Sequence, residues 1–262
     1  MAPGHILRRA TTSSSEDCPP DSHINHATSI EYWNGLAANP RTMLGIMGDY
    51  PWYTRIDLRG SKTFLWKARR LIPGCTKRDK LKRAVDCGAG VGRVTEGFLR
   101  DVCERVDAVE PVGKFADVIR EKKVKDDQGR SLDRGGDGGR GEIGEIYGMG
   151  IESWVPKRKY ELIWTQFCAN YVTDVQFVEF LQRCCGALTE TGIVVLKENI
   201  STDLDGKDMY DEEDSSVTRT DGKFRALFKE AKLDVIASEL QLGFPKHFNL
   251  LPVRFYALRP QS

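Results

Sequence analysis

A glycine-rich turn between a predicted strand and a predicted helix constrains the fold of this chain more than any other segment. Residues 81–85 predict the strand, the turn follows at 86–92 with the sequence DCGAGVG, and residues 94–99 predict the helix. Glycine permits a tight turn and lets a ligand lie directly against the backbone. The pattern predicts the nucleotide-binding unit of an open α/β sheet.

An acidic residue follows at the spacing that is typical of such a unit. Residues 105–109 predict a second strand, which ends in Glu110, 18 residues beyond Gly92. A carboxylate about 20 residues after the glycines commonly accepts hydrogen bonds from ribose hydroxyls. We therefore expect a nucleoside-bearing cofactor at this turn.

The rest of the chain alternates predicted strands and helices. This alternation indicates a parallel sheet, and the last two strands can pair as an antiparallel hairpin at its edge. The predicted fold class is therefore α/β, a Rossmann-like sheet of seven strands with a C-terminal antiparallel hairpin. The further strands are predicted at 145–148, 160–166, 193–198, 233–238 and 253–258, and helices at 113–125, 175–188 and 221–232.

A single domain is expected from residue 21 to residue 262. Residues 1–20 are small, polar and proline-bearing, which predicts a disordered N-terminus. Residues 126–144 are rich in Gly, Asp and Arg, which predicts a flexible surface insertion.

The first part of the domain, 21–71, is expected to form a lid of helices and aromatic residues. Helices are predicted at 22–33, capped by Asp21 or Ser22, and at 61–71, with an irregular aromatic segment at 34–60. An aromatic segment rich in Gly and Pro is typical of a lid or wall over a site, or of a loop packed on the core.

The composition argues against several kinds of partner. Lys and Arg total 39 and Asp and Glu total 38, so no basic field predicts binding to nucleic acid or a membrane surface. The seven cysteines and four histidines show no metal-ligand spacing, which predicts reduced thiols and no metal site. We expect a cytoplasmic monomer, with the nucleus as a second location.

The glycine turn by itself leaves the cofactor open, because NAD enzymes, flavoproteins and S-adenosylmethionine (SAM) methyltransferases all use one. Seven predicted strands ending in a hairpin favour a SAM methyltransferase, as does the lack of room for a separate substrate domain. Asp86, the acid at the end of the first strand, would suit a cationic cofactor better than a pyrophosphate.

Longer motifs cover the chain from about residue 21 to residue 260. They are DSHI (21–24), EYW (31–33), DCGAGVGRV (86–94), VEPV (109–112), LIWTQ (162–166), EFLQRC (179–184), VLKEN (195–199), DEEDSSVTR (211–219) and PVRFYAL (252–258). With these motifs the chain resembles the α-N-terminal protein methyltransferases, its fungal branch in particular, which methylate the free α-amine of proteins beginning X-Pro-Lys. The resemblance implies a class I SAM methyltransferase fold.

The resemblance also implies how SAM binds. Arg93 would meet the carboxylate of its methionine portion, Glu110 would bind the ribose hydroxyls, and Gln166 would close the methionine end. The implied cofactor-binding residues are Gly88, Arg93, Glu110, Ile151, Glu152 and Gln166.

On the acceptor side, the resemblance implies a short list of catalytic groups. Asp214 would orient the amine and accept its proton, and Asn199 would hold the amine or the first carbonyl. Tyr171 stands where the family has a catalytic His and could accept a hydrogen bond or, less easily, a proton. The implied substrate-binding residues are Trp33, Phe167, Asp211 and Ser216. Without the resemblance, the acidic run 203–214 would be interpreted as a solvated loop.

The departures from the family pattern collect on this acceptor side. Phe167 replaces a Trp that lines the peptide channel, Tyr171 replaces the His, and Leu251 replaces a channel Tyr near the C-terminal hairpin. The family's lid sequence LGGYG becomes LGIMGD at 44–49. The cofactor-binding residues match the family pattern, whereas the residues on the acceptor side depart from it. This difference predicts that the protein still methylates, but acts on a different acceptor.

Three hypotheses follow from the sequence. The first is a SAM-dependent N-methyltransferase that acts on the α-amine of a protein, or of a short peptide in the biosynthesis of a fungal, mycotoxin-type natural product. The second is a methyltransferase of a non-peptide amine. The third is a non-catalytic SAM-fold module that binds or scaffolds.

Overall fold

The computed structural model describes residues 18–75, 80–130 and 139–261. Most of the segment predicted to be disordered, 1–20, therefore lies outside the described residues. The same is true of the middle of the predicted Gly-rich insertion at 126–144.

A mixed sheet of seven strands forms the centre of the molecule, in the order β3-β2-β1-β4-β5-β9-β8. The first five of these strands run parallel, and β9 lies antiparallel between β5 and β8. The predicted α/β fold with its C-terminal antiparallel hairpin is thereby confirmed. The strands are β1 (Leu81–Cys87), β2 (Cys103–Val109), β3 (Glu142–Tyr147), β4 (Tyr160–Gln166), β5 (Leu188–Asn199), β8 (Leu233–Leu240) and β9 (Val253–Pro260), with β6 (Met209–Asp211) and β7 (Ser216–Thr218) forming a separate hairpin.

Helices cover both faces of the sheet, as a parallel sheet requires. Phe64 and Leu65 of α2 pack on one face, and Phe177 of α5 and Phe228 of α6 pack on the other. A π-helical turn at Thr95–Leu99 runs directly into α3. The helices are α1 (His26–Gly35), α2 (Pro51–Arg69), α3 (Arg100–Val102), α4 (Gly113–Arg130), α5 (Asp174–Ala187) and α6 (Asp221–Glu230).

The N-terminal segment differs from its prediction in two places. Helix α1 begins at His26, and its cap is Asn25, whose side chain accepts hydrogen bonds from the backbone N–H groups of Ala27 and Thr28. Helix α2 begins at Pro51, so the prediction of irregular structure up to residue 60 is wrong from residue 51 onward. Proline suits the first helical position because it lacks the N–H that would remain unpaired there.

The acidic run is also more ordered than a solvated loop. Strands β6 and β7 pair antiparallel, with Asp211 opposite Ser216, and we call residues 209–218 the acidic hairpin. Its β7 strand is buried, while Glu212 and Glu213 at its turn are exposed. Among the described residues, no helix has both the length and the hydropathy needed to cross a membrane.

Candidate active site

A cavity of about 360 Å³ opens at the carboxyl ends of the parallel strands. It lies where the strand order reverses between β1 and β4, the position at which open α/β sheets bind ligands. Its volume falls in the range of small-molecule sites. Nine of the residues predicted from the sequence line this cavity: Trp33, Gly88, Arg93, Glu110, Ile151, Glu152, Gln166, Phe167 and Tyr171.

The glycine turn after β1 forms one wall of the cavity. Gly88 and Gly90 have φ angles of +73° and +55°, which L side chains rarely adopt. A Cβ atom at Gly88 would lie 2.4 Å from Cβ of Cys168, and one at Gly90 would lie 2.8 Å from Sδ of Met43. Both the backbone conformation and the available space therefore require glycine here.

Glu110 follows β2 and fastens this turn. Its two carboxylate oxygens accept hydrogen bonds from the backbone N–H of Gly90, at 2.7 Å, and of Val112, at 2.8 Å. Burial raises the pKa of Glu110 to about 7, while the two N–H donors act in the opposite direction. Each oxygen keeps a second lone pair, so the carboxylate can still accept a hydrogen bond from a ligand hydroxyl.

The loop after β3 supplies Ile151 and Glu152, and helix α5 holds it in place. Arg183 of α5 donates hydrogen bonds of 2.9 Å to the backbone oxygens of Ile151, Glu152 and Trp154. These bonds fix main-chain atoms, so the loop presents the buried Ile151 side chain to the cavity in a set position.

Arg93 and Gln166 share one buried partner that the sequence interpretation missed. Nη1 of Arg93 lies 2.7 Å from Oδ2 of Asp57 on α2, and Nε2 of Gln166 lies 3.1 Å from the same oxygen. Lys197 of β5 also donates to the Asp57 carboxylate. Although burial alone would raise it, the pKa of Asp57 is lowered to about 2 because Lys197 and Arg93 stabilise the anion.

Asp86 does not take the position that the sequence argument gave it. Its carboxylate is buried beneath the turn, does not line the cavity, and accepts a 2.6 Å hydrogen bond from Oγ1 of Thr95. Asp86 therefore provides no direct contact for a cofactor in the cavity, and its charge would act there only through space.

Two aromatic residues, Trp33 and Tyr171, form another wall of the cavity. Trp33 of α1 meets Tyr171 edge to face, with ring centroids 6.1 Å apart. The Tyr171 hydroxyl donates a 2.7 Å hydrogen bond to Oδ2 of Asp214 in the acidic hairpin, and Oγ of Ser216 donates one of equal length to Oδ1. Burial raises the pKa of Tyr171 well above its ordinary value, and the Asp214 carboxylate raises it further. Tyr171 therefore remains a neutral hydroxyl that links the cavity to Asp214.

Four predicted residues do not line the cavity themselves: Asn199, Asp211, Asp214 and Ser216. Asp214 and Ser216 connect to it through Tyr171. Asn199 lies at the end of β5, 3% exposed, and its Nδ2 has no hydrogen-bond partner among the described residues. Asp211 is half-buried and accepts a hydrogen bond from the Glu213 backbone N–H.

The loop that carries Phe167 and Tyr171 is held by its main chain, and we call residues 167–172 the acceptor loop. Nη1 of the buried Arg219 donates to the Ala169 oxygen at 2.9 Å, and Nη2 donates to the Val172 oxygen at 2.6 Å. The Ala169 N–H in turn donates to Oε1 of Glu198 at 2.8 Å. Phe167 has a φ of 55°, a strained conformation for a bulky residue and one that often marks a functional site.

No group of three or more potential metal ligands occurs in the described part of the chain. All seven cysteines are free thiols, and Cys168 is the one that borders the cavity. His26 and Met43 also line the cavity, although no sequence pattern had indicated them.

The comparisons with known proteins agree with this geometry. A family described as AdoMet-dependent proline di-methyltransferase matches residues 21–259. An α N-terminal protein methyltransferase 1 of Schizosaccharomyces pombe is 37% identical over 238 residues, which cover 90% of this chain and 97% of that protein. The N-terminal Xaa-Pro-Lys N-methyltransferase 1 of Xenopus tropicalis is 34% identical, over 82% of this chain and 87% of that protein.

A solved structure is also similar. A SAM-dependent methyltransferase of Leishmania major has a TM-score of 0.72 and 29% identity, over 89% of this chain and 82% of that one. These matches show that the cofactor is SAM and that the chain is a methyltransferase. The protein belongs to the AdoMet-dependent proline di-methyltransferase family, as the matched residues and the relatives together establish.

Proposed function

We propose that the protein transfers methyl groups from SAM to the α-amine of a protein or peptide N-terminus. The observation that carries this proposal is the Tyr171–Asp214 hydrogen bond at the aromatic wall of the cavity. A hydroxyl backed by a carboxylate can accept a hydrogen bond from an amine and stabilise its positive charge. The names of the relatives support the same chemistry.

The lining residues fit SAM. Gly88 and Gly90 border the cavity without side chains of their own, and Glu110 offers a buried acceptor for ribose hydroxyls. Arg93 and Gln166 offer a cation and an amide for the amino-acid end. When bound, SAM supplies a methyl group on a sulfonium, whose carbon–sulfur bond breaks as the nitrogen lone pair forms the new bond.

The chain's own residues would mainly position the amine. The Tyr171 hydroxyl donates its proton to Asp214 and also hydrogen-bonds the Trp33 side chain, which leaves its oxygen a lone pair to accept a hydrogen bond from the amine. A free α-amine has a reference pKa of about 7.7–8.0, so a substantial neutral fraction exists near neutral pH. Alignment of this neutral amine would supply most of the acceleration.

The finer identity of the acceptor is the second part of the proposal. Phe167 and Tyr171 line the cavity, and they are two of the positions where the sequence departs from the family pattern. These changes support an acceptor other than X-Pro-Lys, and the short peptide of a natural-product pathway stays a prediction. The predicted monomer, the cytoplasmic or nuclear location and the lack of nucleic-acid binding stay predictions as well.

The test is mass spectrometry of peptides incubated with the purified protein and SAM. The panel contains an X-Pro-Lys peptide, its N-acetylated form, and free-amine peptides with other second and third residues. We expect methylation of at least one free-amine peptide and none of the acetylated control. Methylation of the acetylated peptide, or of no peptide despite SAM binding, would contradict the proposed α-amine chemistry.

A further inference from the structure

One fully buried carboxylate organises the part of the cavity where Arg93 and Gln166 lie. Asp57 accepts hydrogen bonds from Nη1 of Arg93 at 2.7 Å and from Nε2 of Gln166 at 3.1 and 3.2 Å. Lys197 donates both to the Asp57 carboxylate and, at 3.1 Å, to its backbone oxygen, and also to Oγ of Ser61 at 3.0 Å. The three donors come from three separate places: the turn after β1, the end of β4 and β5.

These residues differ in their access to the cavity. Arg93 and Gln166 line it, whereas Asp57 and Lys197 are both 0% exposed and do not. Gln166 is fixed at both ends of its amide, because its Oε1 accepts a 3.2 Å hydrogen bond from Nε1 of Trp164. Asp57 and Lys197 can therefore affect a ligand only through the side chains that they orient.

The side chains of Asp57, Lys197, Arg93 and Gln166 together carry a net positive charge. Two cations, Arg93 and Lys197, share the single carboxylate of Asp57. Burial lowers the pKa of Lys197 to about 8, so the amine is still mainly protonated at neutral pH. Asp86 also interacts with Arg93 through space, but its carboxylate hydrogen-bonds Thr95. Buried charge is costly unless it is compensated, so an anionic ligand group beside Arg93 would be favoured.

We propose that Asp57 and Lys197 are positioning residues for the carboxylate of the methionine portion of SAM, acting through Arg93 and Gln166. This inference rests on the proposed function, because it takes the Arg93 end of the cavity as the amino-acid end of the cofactor. It assigns the first long helix of the chain, α2, to cofactor binding as well as to the lid.

The test compares two ligands that share an adenosine but differ at the other end. S-adenosylhomocysteine (SAH) has the amino-acid carboxylate, and 5′-methylthioadenosine lacks it. Isothermal titration calorimetry measures both on the full chain and on Asp57→Asn. We expect the substitution to weaken SAH binding by at least about ten-fold and to leave 5′-methylthioadenosine binding within about two-fold.

Two further variants separate positioning from folding. Asp57→Asn/Lys197→Met removes both fully buried charges, so Lys197 is not left as an uncompensated buried cation, and this double variant should show the same SAH-specific loss. Asp107→Asn is the matched control, since Asp107 is also 0% exposed and paired with an arginine at 2.9 Å, but this arginine, Arg83, does not line the cavity. We expect normal binding of both ligands to this control.

The alternatives have distinct results. Equal loss of both ligands in the Asp57 variants, no loss in either, or an equal loss of SAH affinity in Asp107→Asn would overturn the positioning role. Failure of the unaltered protein to bind SAH and 5′-methylthioadenosine would instead contradict the proposed function.

Discussion

At the scale of single residues, Tyr171 is the link between the cavity and the acidic hairpin. In the proposed function, its hydroxyl is the group through which Asp214 and Ser216 would act on an acceptor, since neither lines the cavity. The sequence indicated Tyr171, Asp214 and Ser216 individually, but not the hydrogen bonds that connect them. These bonds depend on the pairing of β6 with β7, and the sequence of two such short polar strands does not predict that they pair.

Substitution of Tyr171→Phe should lower kcat by roughly 10- to 100-fold, because the acceptor loses its hydrogen-bond partner while the ring still fills its space. Steady-state kinetics with the best peptide of the panel measures this, together with the SAH dissociation constant, which should not change. Tyr160→Phe is the matched control, since it removes another buried tyrosine–aspartate hydrogen bond, of 3.0 Å to Asp107. An equal fall in kcat for both variants would count against a role of Tyr171 in positioning the amine.

Glu110 should make stability depend on pH. Its pKa rises from an ordinary 4.5 to about 7 in the folded protein, so the folded state binds more protons than the unfolded chain between these values. Its contribution, roughly 3 kcal/mol at most, is present below pH 4.5 and is lost as the pH rises through 7. Urea unfolding from pH 5 to pH 8 should show a shallower decline for Glu110→Gln than for the unaltered protein. Parallel declines would show that Glu110 does not titrate in this range.

Asp57 shows why sequence patterns find some site residues and miss others. A carboxylate within a predicted irregular segment carries no periodic signal, and the prediction had placed the helix start at residue 61. Had α2 been extended to Pro51, Asp57 would have lain on the same helix face as Tyr53, Phe64 and Leu65, which are buried. A charged residue within an apolar stripe would then have indicated a buried partner.

At the scale of elements, all seven strands of the central sheet were predicted, although some of their bounds were not: β5 begins at Leu188, five residues before the predicted strand. The bounds of β4 agree with the prediction, because its apolar residues are buried on both sides and its ends are marked by polar residues. The prediction failed where the signal is local and weak, as at the start of α2, which was assigned to the irregular segment 34–60. Tyr53 packs there with Leu44, Met47 and Phe244, and this tertiary packing, which a local pattern does not contain, stabilises the first part of the helix.

The cap of α1 links this element to the acceptor side. Asn25→Ala should lower the free energy of unfolding by about 1 kcal/mol, since two backbone N–H groups lose their acceptor. Because α1 carries Trp33, we also expect a higher KM for the peptide and an unchanged dissociation constant for SAH. Asn25→Asp retains a capping oxygen and serves as the control, measured by urea unfolding and steady-state kinetics. Equal effects of the two substitutions would show that the cap does not account for the loss.

At the scale of the whole molecule, ligand binding and stability are coupled through the glycine turn. SAH at about 100 times its dissociation constant should stabilise the folded protein by about 2.7 kcal/mol and raise its Tm. Gly88→Ala should abolish this rise, because the added Cβ would collide with Cys168 and the positive φ disfavours alanine. Differential scanning calorimetry with and without SAH measures the effect.

Gly74→Ala is the control for this measurement. Gly74 has a similar φ of +79°, but a Cβ there would meet no atom within 4 Å. The substitution should lower Tm slightly through backbone strain and keep the full rise on SAH addition. A lost rise in this variant would show that strain anywhere in the chain, and not the turn itself, removes binding.

The way in which the acceptor loop is held bears on how such an enzyme can change its substrate. Arg219 and Glu198 bind main-chain atoms of Ala169 and Val172, and these atoms are present whatever side chains the loop carries. The path of the loop is thus uncoupled from the identity of the residues that it presents to the cavity. Evolution, or an engineer, can therefore exchange Phe167 and Tyr171 one at a time and sample new acceptors without rebuilding the scaffold.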